Sequence, residues 1–155
     1  MANTQKITPF LWFDNNAEEA VRFYCDVFPD AKILSEQRIG PGGHLISATF
    51  SLFGQHYIAL NGGPMFKFTE AVSLMVHCDG QEEVDYYWNR LTEGGEESQC
   101  GWLKDRFGLS WQVIPGILGT LLGQSDPAKA QASMQAMLQM RKIDIAALIT
   151  ASSNA

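Results

Sequence analysis

Two rhythms of hydrophobic and polar residues alternate along the first sixty positions, and the same succession then returns. The stretch ITPFLWF, residues 7–13, is apolar and aromatic, as expected of a buried strand. In DNNAEEAVRFYCDVFPD, which follows, Ala20, Val21, Tyr24, Cys25 and Phe28 recur at helical steps and predict one apolar helix face. Asn16 followed three residues on by Glu19 has the N-cap pattern, and Pro29 stops the helix. AKILSEQR, HLISATFSLF and HYIALN then read as three strands. Gly40-Pro41-Gly42-Gly43 supplies the first turn between them and Gly54-Gln55 the second, the latter suited to a Gly-X hairpin.

From residue 71 the order repeats. AVSLMVHC predicts a strand and DGQEEVDYYWNRLTEGG a helix, with Asp79 and Glu82 in cap spacing and Gly94-Gly95 at its end. Val84, Tyr87, Trp88 and Leu91 make its apolar face. Aligning Asp14 with Asp79 and Phe23-Tyr24 with Tyr86-Tyr87 gives an offset that drifts only from 65 to 63, an internal repeat. EESQ, WLKDRF and LSWQVIP complete the second copy, which has lost the long turn: Glu19 to Ala59 is 40 positions, Glu83 to Gln112 only 29.

Each copy is therefore βαβββ, and the fold class is α+β: paired βαβββ modules with C-terminal helices. Residues 1–62 form the first module, 63–70 a linker, 71–116 the second, abridged module and 125–152 a helical segment, together one domain. A four-stranded sheet with a helix on one face leaves its other face open, so two modules are expected to turn their open faces toward a shared cleft. In the C-terminal segment Asp126 is an N-cap with Pro127 at the first helical position, and Asp144 caps a second short helix. Its stripe of Met134, Met137 and Leu138 is expected to pack on its own domain or on a second copy of the chain.

Composition removes several function classes. Net charge is −6, and no run of Lys or Arg exceeds two, so the basic stripe of a nucleic-acid partner is missing. No apolar run approaches the roughly 18 residues that span a bilayer. MANTQKITPFLWF has no signal-peptide core, and Cys25, Cys78 and Cys100 are three in number and scattered, so a cytoplasmic chain with free thiols is expected.

WFDNNAEEAVRFY, ALNGGPMFKF and CGWLKDRFGLSWQVIP resemble the vicinal oxygen chelate superfamily, which includes glyoxalase I, extradiol dioxygenases and bleomycin- and fosfomycin-resistance proteins. More narrowly they look like its PhnB-like branch, whose members carry the label 3-demethylubiquinone-9 3-methyltransferase. The resemblance runs from about residue 5 to the C-terminal helices and implies homodimers. A methyltransferase using S-adenosylmethionine would need a Gly-rich turn between a strand and a helix N-terminus, and neither GPGG nor NGGP has that place.

The resemblance also implies four cleft ligands in metal-dependent relatives, falling near Pro9, Ala59, Ser73 and Gln112 here. Only Gln112 is a coordinating side chain of ordinary strength, so no metal and no cofactor is expected. A rebuilt set of His77, Asn61 and Gln112 holds one imidazole and no carboxylate; His77 reads first as an ordinary strand-end histidine. Cys100 is the best nucleophile by type, given Lys104 or Arg106 to lower its pKa, and otherwise a buried, inert thiol. Trp12, Trp102, Phe66 and Phe68 are candidates for an apolar ligand wall, with Gln112, Asn61 and His77 as orienting polar groups. The residues thus favour a small-molecule-binding protein for a largely apolar or aromatic ligand. A metal- or thiol-dependent enzyme and a protein-interaction module stand as alternatives.

Overall fold

The computed structural model describes residues 5–155. The chain divides into two compact units, Met1–Phe68 and Thr69–Ala155. In the first, β1 (Phe10–Phe13) leads through α1 (Ala17–Val27) to β2 (Lys32–Arg38), β3 (Leu45–Leu52) and β4 (Gln55–Asn61). The sheet order is β1-β4-β3-β2, with β1 parallel to β4 and the other pairs antiparallel. Ala17, Ala20, Val21, Tyr24 and Val27 of α1 are buried, and Tyr24 stacks on Phe50 of β3 at 6.1 Å. That contact marks the helix side of the sheet.

Asn16 is the N-cap of α1 but its side chain makes no cap bond. Asn61, at the far end of the module, does that work: its Oδ1 accepts from the Ala17 N–H at 2.8 Å and its Nδ2 donates to the Leu45 carbonyl at 2.9 Å. The hairpin turn also sits one residue earlier than Gly54-Gln55. Leu52 pairs with Gln55, so the loop is Phe53-Gly54, with φ of 50° and 79°, the sign pattern of a type I′ turn.

The second unit repeats the plan with β5 (Ser73–Cys78), α2 (Gln81–Thr92), β6 (Glu96–Glu97), β7 (Trp102–Lys104) and β8 (Ser110–Pro115), in the order β5-β8-β7-β6. All four residues of the predicted α2 face, Val84, Tyr87, Trp88 and Leu91, are buried. Each contributes on the order of 2 kcal/mol by leaving water. The cap differs by one residue from the expected spacing: Gly80 is the N-cap, and Glu83 rather than Glu82 reaches back to the Asp79 N–H, at 2.6 Å.

A helix not anticipated from the sequence, α3 (Gly116–Leu122), continues directly from β8. Glycine at 116 and 119 weakens its propensity, while Leu118, Leu121 and Leu122 supply its apolar side. Then come α4 (Pro127–Leu138) and α5 (Ile145–Ser153). Asp126 caps α4 through the Ala128 and Lys129 N–H groups, and Asp144 caps α5 through that of Ala147, as the sequence indicates. Leu118, Ile143 and Leu148 form a buried cluster against which Ile114, Met137 and Met140 pack, so part of the methionine stripe serves its own unit. The segment before α5 is tied to α2: Gln81 donates to the Ile143 carbonyl and accepts from the Ile145 N–H, and Lys142 pairs with Asp85. Among the described residues no helix is long and apolar enough to cross a membrane.

Candidate functional site

Strand alternation assigns each side chain to the helix side or the open side of its sheet. In the second unit Leu74, Val76, Cys78, Leu103, Trp111 and Val113 face α2. Ser73, Met75 and His77 on β5, Trp102 and Lys104 on β7, and Ser110, Gln112 and Ile114 on β8 face the other way. Register aligns Met75, Gln112 and Trp102 in one row across three strands and Ser73, Ser110 and Lys104 in the next. Gln112 Nε2 donates to Ser73 Oγ at 3.0 Å, so the two rows are joined. Gln112 Oε1 takes no hydrogen bond from the described residues. Trp102 is half-buried and Met75 exposed, leaving an aromatic and a thioether surface around a single amide.

His77 lies at the exposed end of this face, opposite Ile114, with no hydrogen bond among the described residues. Lys104 pairs with Glu70. Their mutual hydrogen bond raises the lysine pKa and lowers that of the glutamate.

The first unit departs from expectation. Its helix side carries Leu11, Phe13, Tyr57, Ala59 and Asn61, and its open side Phe10, Trp12, Ile58 and Leu60. Ala59 is wholly buried and Asn61 spends both ends of its amide on backbone groups, so neither belongs to the open face with Gln112-type residues. Trp12 donates from Nε1 to the Gly63 carbonyl at 2.8 Å and meets Phe66 edge-on at 4.9 Å. Phe68 joins Phe13 instead, at 5.2 Å, so the four expected wall aromatics divide among three places, with Trp102 on β7 of the second unit. The β1–β4 ladder runs on past Asn61, with Gly62 and Gly63 donating to the Phe13 and Asp14 carbonyls.

Cys100 occupies the β6–β7 turn. The Trp102 N–H closes that turn on the Gln99 carbonyl, and Cys100 and Gly101 take φ of 59° and 85°. Their own N–H groups donate to the Met140 and Arg141 carbonyls at 2.8 Å each. A non-glycine residue in this region is strained by roughly 1–2 kcal/mol, held here by the C-terminal segment. Lys104 lies at the opposite end of β7, engaged by Glu70, and brings no cation to the sulfur. Burial, then Glu83 and Asp79, pushes the Cys78 thiol up to about 12, and burial raises Cys25. Cys78 is therefore expected to resist iodoacetamide at mildly alkaline pH in the native protein and to be alkylated in urea, as read by mass spectrometry of the peptides. Labelling of Cys78 without unfolding would contradict its 2% exposure.

The turn from β7 to β8 is built on Asp105, which is 2% exposed. Its Oδ1 accepts from the Phe107 and Leu109 N–H groups at 2.9 and 3.0 Å, and its Oδ2 from Trp111 Nε1 at 2.9 Å. The side chain thus fixes the register that aims Gln112 outward and Trp111 inward.

Two sheets, each of βαβββ connection with one helix-covered and one open face, define the glyoxalase/bleomycin-resistance fold of the vicinal oxygen chelate superfamily. The family model for 3-demethylubiquinone-9 3-methyltransferase matches residues 5–114, and the chain belongs to that family. It is 36% identical to the PhnB protein from Bacillus cereus, over 72% of this chain and 100% of that one, with a TM-score of 0.67. Protein PA1353 from Pseudomonas aeruginosa shares 20% identity over 72% and 98% of the two chains, TM-score 0.60. The fosfomycin resistance protein FosX from Listeria monocytogenes, complexed with Mn(II) and sulfate, shares 15% over 74% and 92%, TM-score 0.54, a likeness of fold alone. No curated protein matches the chain.

The positions matched to ligand strands in metal-dependent relatives offer a proline, a buried methyl group and a serine hydrogen-bonded to a glutamine. Without imidazole or carboxylate, this donor set does not fit a divalent transition metal. Among the described residues no three His, Cys, Asp or Glu side chains converge as a cage. Gly40–Gly43 lies between β2 and β3, and Gly62-Gly63 follows β4, so neither of these two glycine turns opens a helix. The sequence reading missed the Glu70–Lys104 pair and the Ser110 hydroxyl. Ser110 shares its strand face with Gln112, a signal that alternation alone supplies.

Proposed function

We propose that this protein binds a small, largely apolar or aromatic molecule on the open faces of its sheets, acting as a cytoplasmic homodimer. The observation that carries the reading is the row Met75–Gln112–Trp102: a ring, a thioether and one amide whose oxygen is unclaimed among the described residues. A mostly apolar surface with one convergent polar group is how small-molecule sites achieve both affinity and orientation. Trp12 and Phe66 give the first unit an open-face aromatic pair of the same character. Free Cys25, Cys78 and Cys100 accord with a reducing compartment. Exposed Met134, Leu138 and Ile149 on the C-terminal helices accord with self-association, which light scattering on the eluting species measures.

The binding test is an NMR titration with phenol, catechol and 2-naphthol. At least one is expected to shift the Trp102 indole and the Gln112 side-chain amide saturably. Gln112→Leu removes the orienting amide without adding bulk and is expected to weaken that binding about tenfold, one hydrogen bond's worth. Unmoved Trp102 and Gln112 resonances with all three probes, or an unchanged Kd in Gln112→Leu, would overturn the reading.

A further inference from the structure

A hollow lies beside β6 and β7 of the same sheet, wholly within the second unit, with a volume of about 220 Å³. Glu70, Glu96, Glu97, Trp102, Lys104 and Ser110 are the lining side chains that carry its chemistry. Three carboxylates meet one ammonium, so the hollow favours positive charge. Glu70 is occupied by Lys104. Glu97 accepts from Trp88 Nε1 at 2.9 Å and faces Arg141 at 3.6 Å. Glu96 lies opposite Lys104 in the β6–β7 ladder and feels its charge, but Lys104 is held by Glu70, and the Glu96 carboxylate makes no hydrogen bond or ion pair with the described residues.

The second observation is independent of the acids. Ser110 is wholly buried, and its Oγ has no hydrogen-bond partner among the described residues. A buried hydroxyl left unpaired costs about 1–3 kcal/mol, which a core position avoids by carrying alanine. Glu70, just before β5, reaches across to Lys104 on β7, and β8 with Ser110 lies between those strands. The ion pair therefore straddles the hydroxyl and forms one wall of the hollow.

We propose that this hollow is a binding site for a small organic ammonium ion. The cation balances Glu96, an N–H is donated to Ser110 Oγ, and the Trp102 ring takes a cation–π or apolar contact. The site lies on the same face as the row Met75–Gln112–Trp102 and shares Trp102 with it, but it uses neither Gln112 nor Ser73, so either reading can fail without the other.

The test is a titration of the full chain with ethylammonium chloride, followed by NMR at the Glu96, Ser98 and Ser110 amides, with tetramethylammonium chloride and sodium acetate at matched ionic strength. Ethylammonium is expected to shift these amides saturably, and tetramethylammonium, which has no N–H for Ser110, to bind more weakly. Glu96→Gln and Ser110→Ala are each expected to weaken ethylammonium binding about fivefold. Ser110→Ala is also expected to keep or raise the urea midpoint, because the hydroxyl has no partner to lose. Saturable shifts with acetate, none with ethylammonium, or a lowered midpoint in Ser110→Ala would overturn the proposal.

Discussion

Replacing Asp105 with alanine is expected to lower folding stability by about 4 kcal/mol, because a single side chain serves three donors. The Phe107 and Leu109 N–H groups and Trp111 Nε1 all point at its two oxygens, and the Leu109 N–H and the indole are buried. Hydrogen bonds to a charged acceptor are each worth about 1.5–3 kcal/mol, and a buried donor left without an acceptor retains its desolvation cost. The three losses do not add in full, since the half-buried Phe107 N–H regains water.

Asparagine separates charge from shape. One of its two terminal groups is a donor, which must face either the indole or the backbone N–H pair, so Asp105→Asn is expected to cost about 2 kcal/mol. Urea denaturation followed by tryptophan fluorescence measures both, and the Trp111 indole resonance reports the site directly. A loss below about 1 kcal/mol in Asp105→Ala would mean that the turn holds its own shape. Because Asp105 sets the β7–β8 register, Asp105→Ala is also expected to blunt the probe-induced shifts at Gln112 while leaving the first unit folded.

How far the sequence carries to this point differs between the modules. In the second, alternation along β8 sets Ser110, Gln112 and Ile114 against Trp111 and Val113, an unequal division, and the ladder places Trp102 beside Gln112. In the first, β4 offers Tyr57 and Ala59 on one side and Ile58 and Leu60 on the other, apolar both ways. Period two then defines two faces but not which one meets the helix, so Ala59 and Asn61 were expected on the wrong side. The cap supplied by Asn61 lies 44 residues from its N–H, beyond any local pattern. Asp126 and Asp144, whose donors lie two or three residues on, were legible for the opposite reason. The Met140 and Arg141 carbonyls that hold the Cys100 turn are likewise non-local. The helix α3 was obscured by its own glycines, whose low propensity is overridden by packing of Leu118 into the C-terminal cluster.

The glycine pair at the end of α2 yields the other large effect, and its two members are expected to differ. Gly94 has φ of 76° and would place a Cβ 3.3 Å from Arg106 Cβ, a contact that a small movement relieves. Its requirement is conformational, and Gly94→Ala is expected to cost about 1–2 kcal/mol, the usual left-handed penalty. Gly95 is glycine for space. A Cβ there would overlap the Lys104 carbonyl oxygen outright and stand 2.7 Å from Asp105 C, both backbone atoms that cannot turn away. The α2–β6 connection docks directly on the end of β7, where Asp105 begins its turn, so a methyl group must push the strand and the turn apart. Gly95→Ala is therefore expected to cost about 3 kcal/mol or more, at the upper end for overpacking. Part of that loss comes from the Asp105 network, so combining Gly95→Ala with Asp105→Ala is expected to cost less than the sum of the two. Strict additivity in that double-mutant cycle, measured by urea denaturation, would show that Gly95 acts only on its own connection.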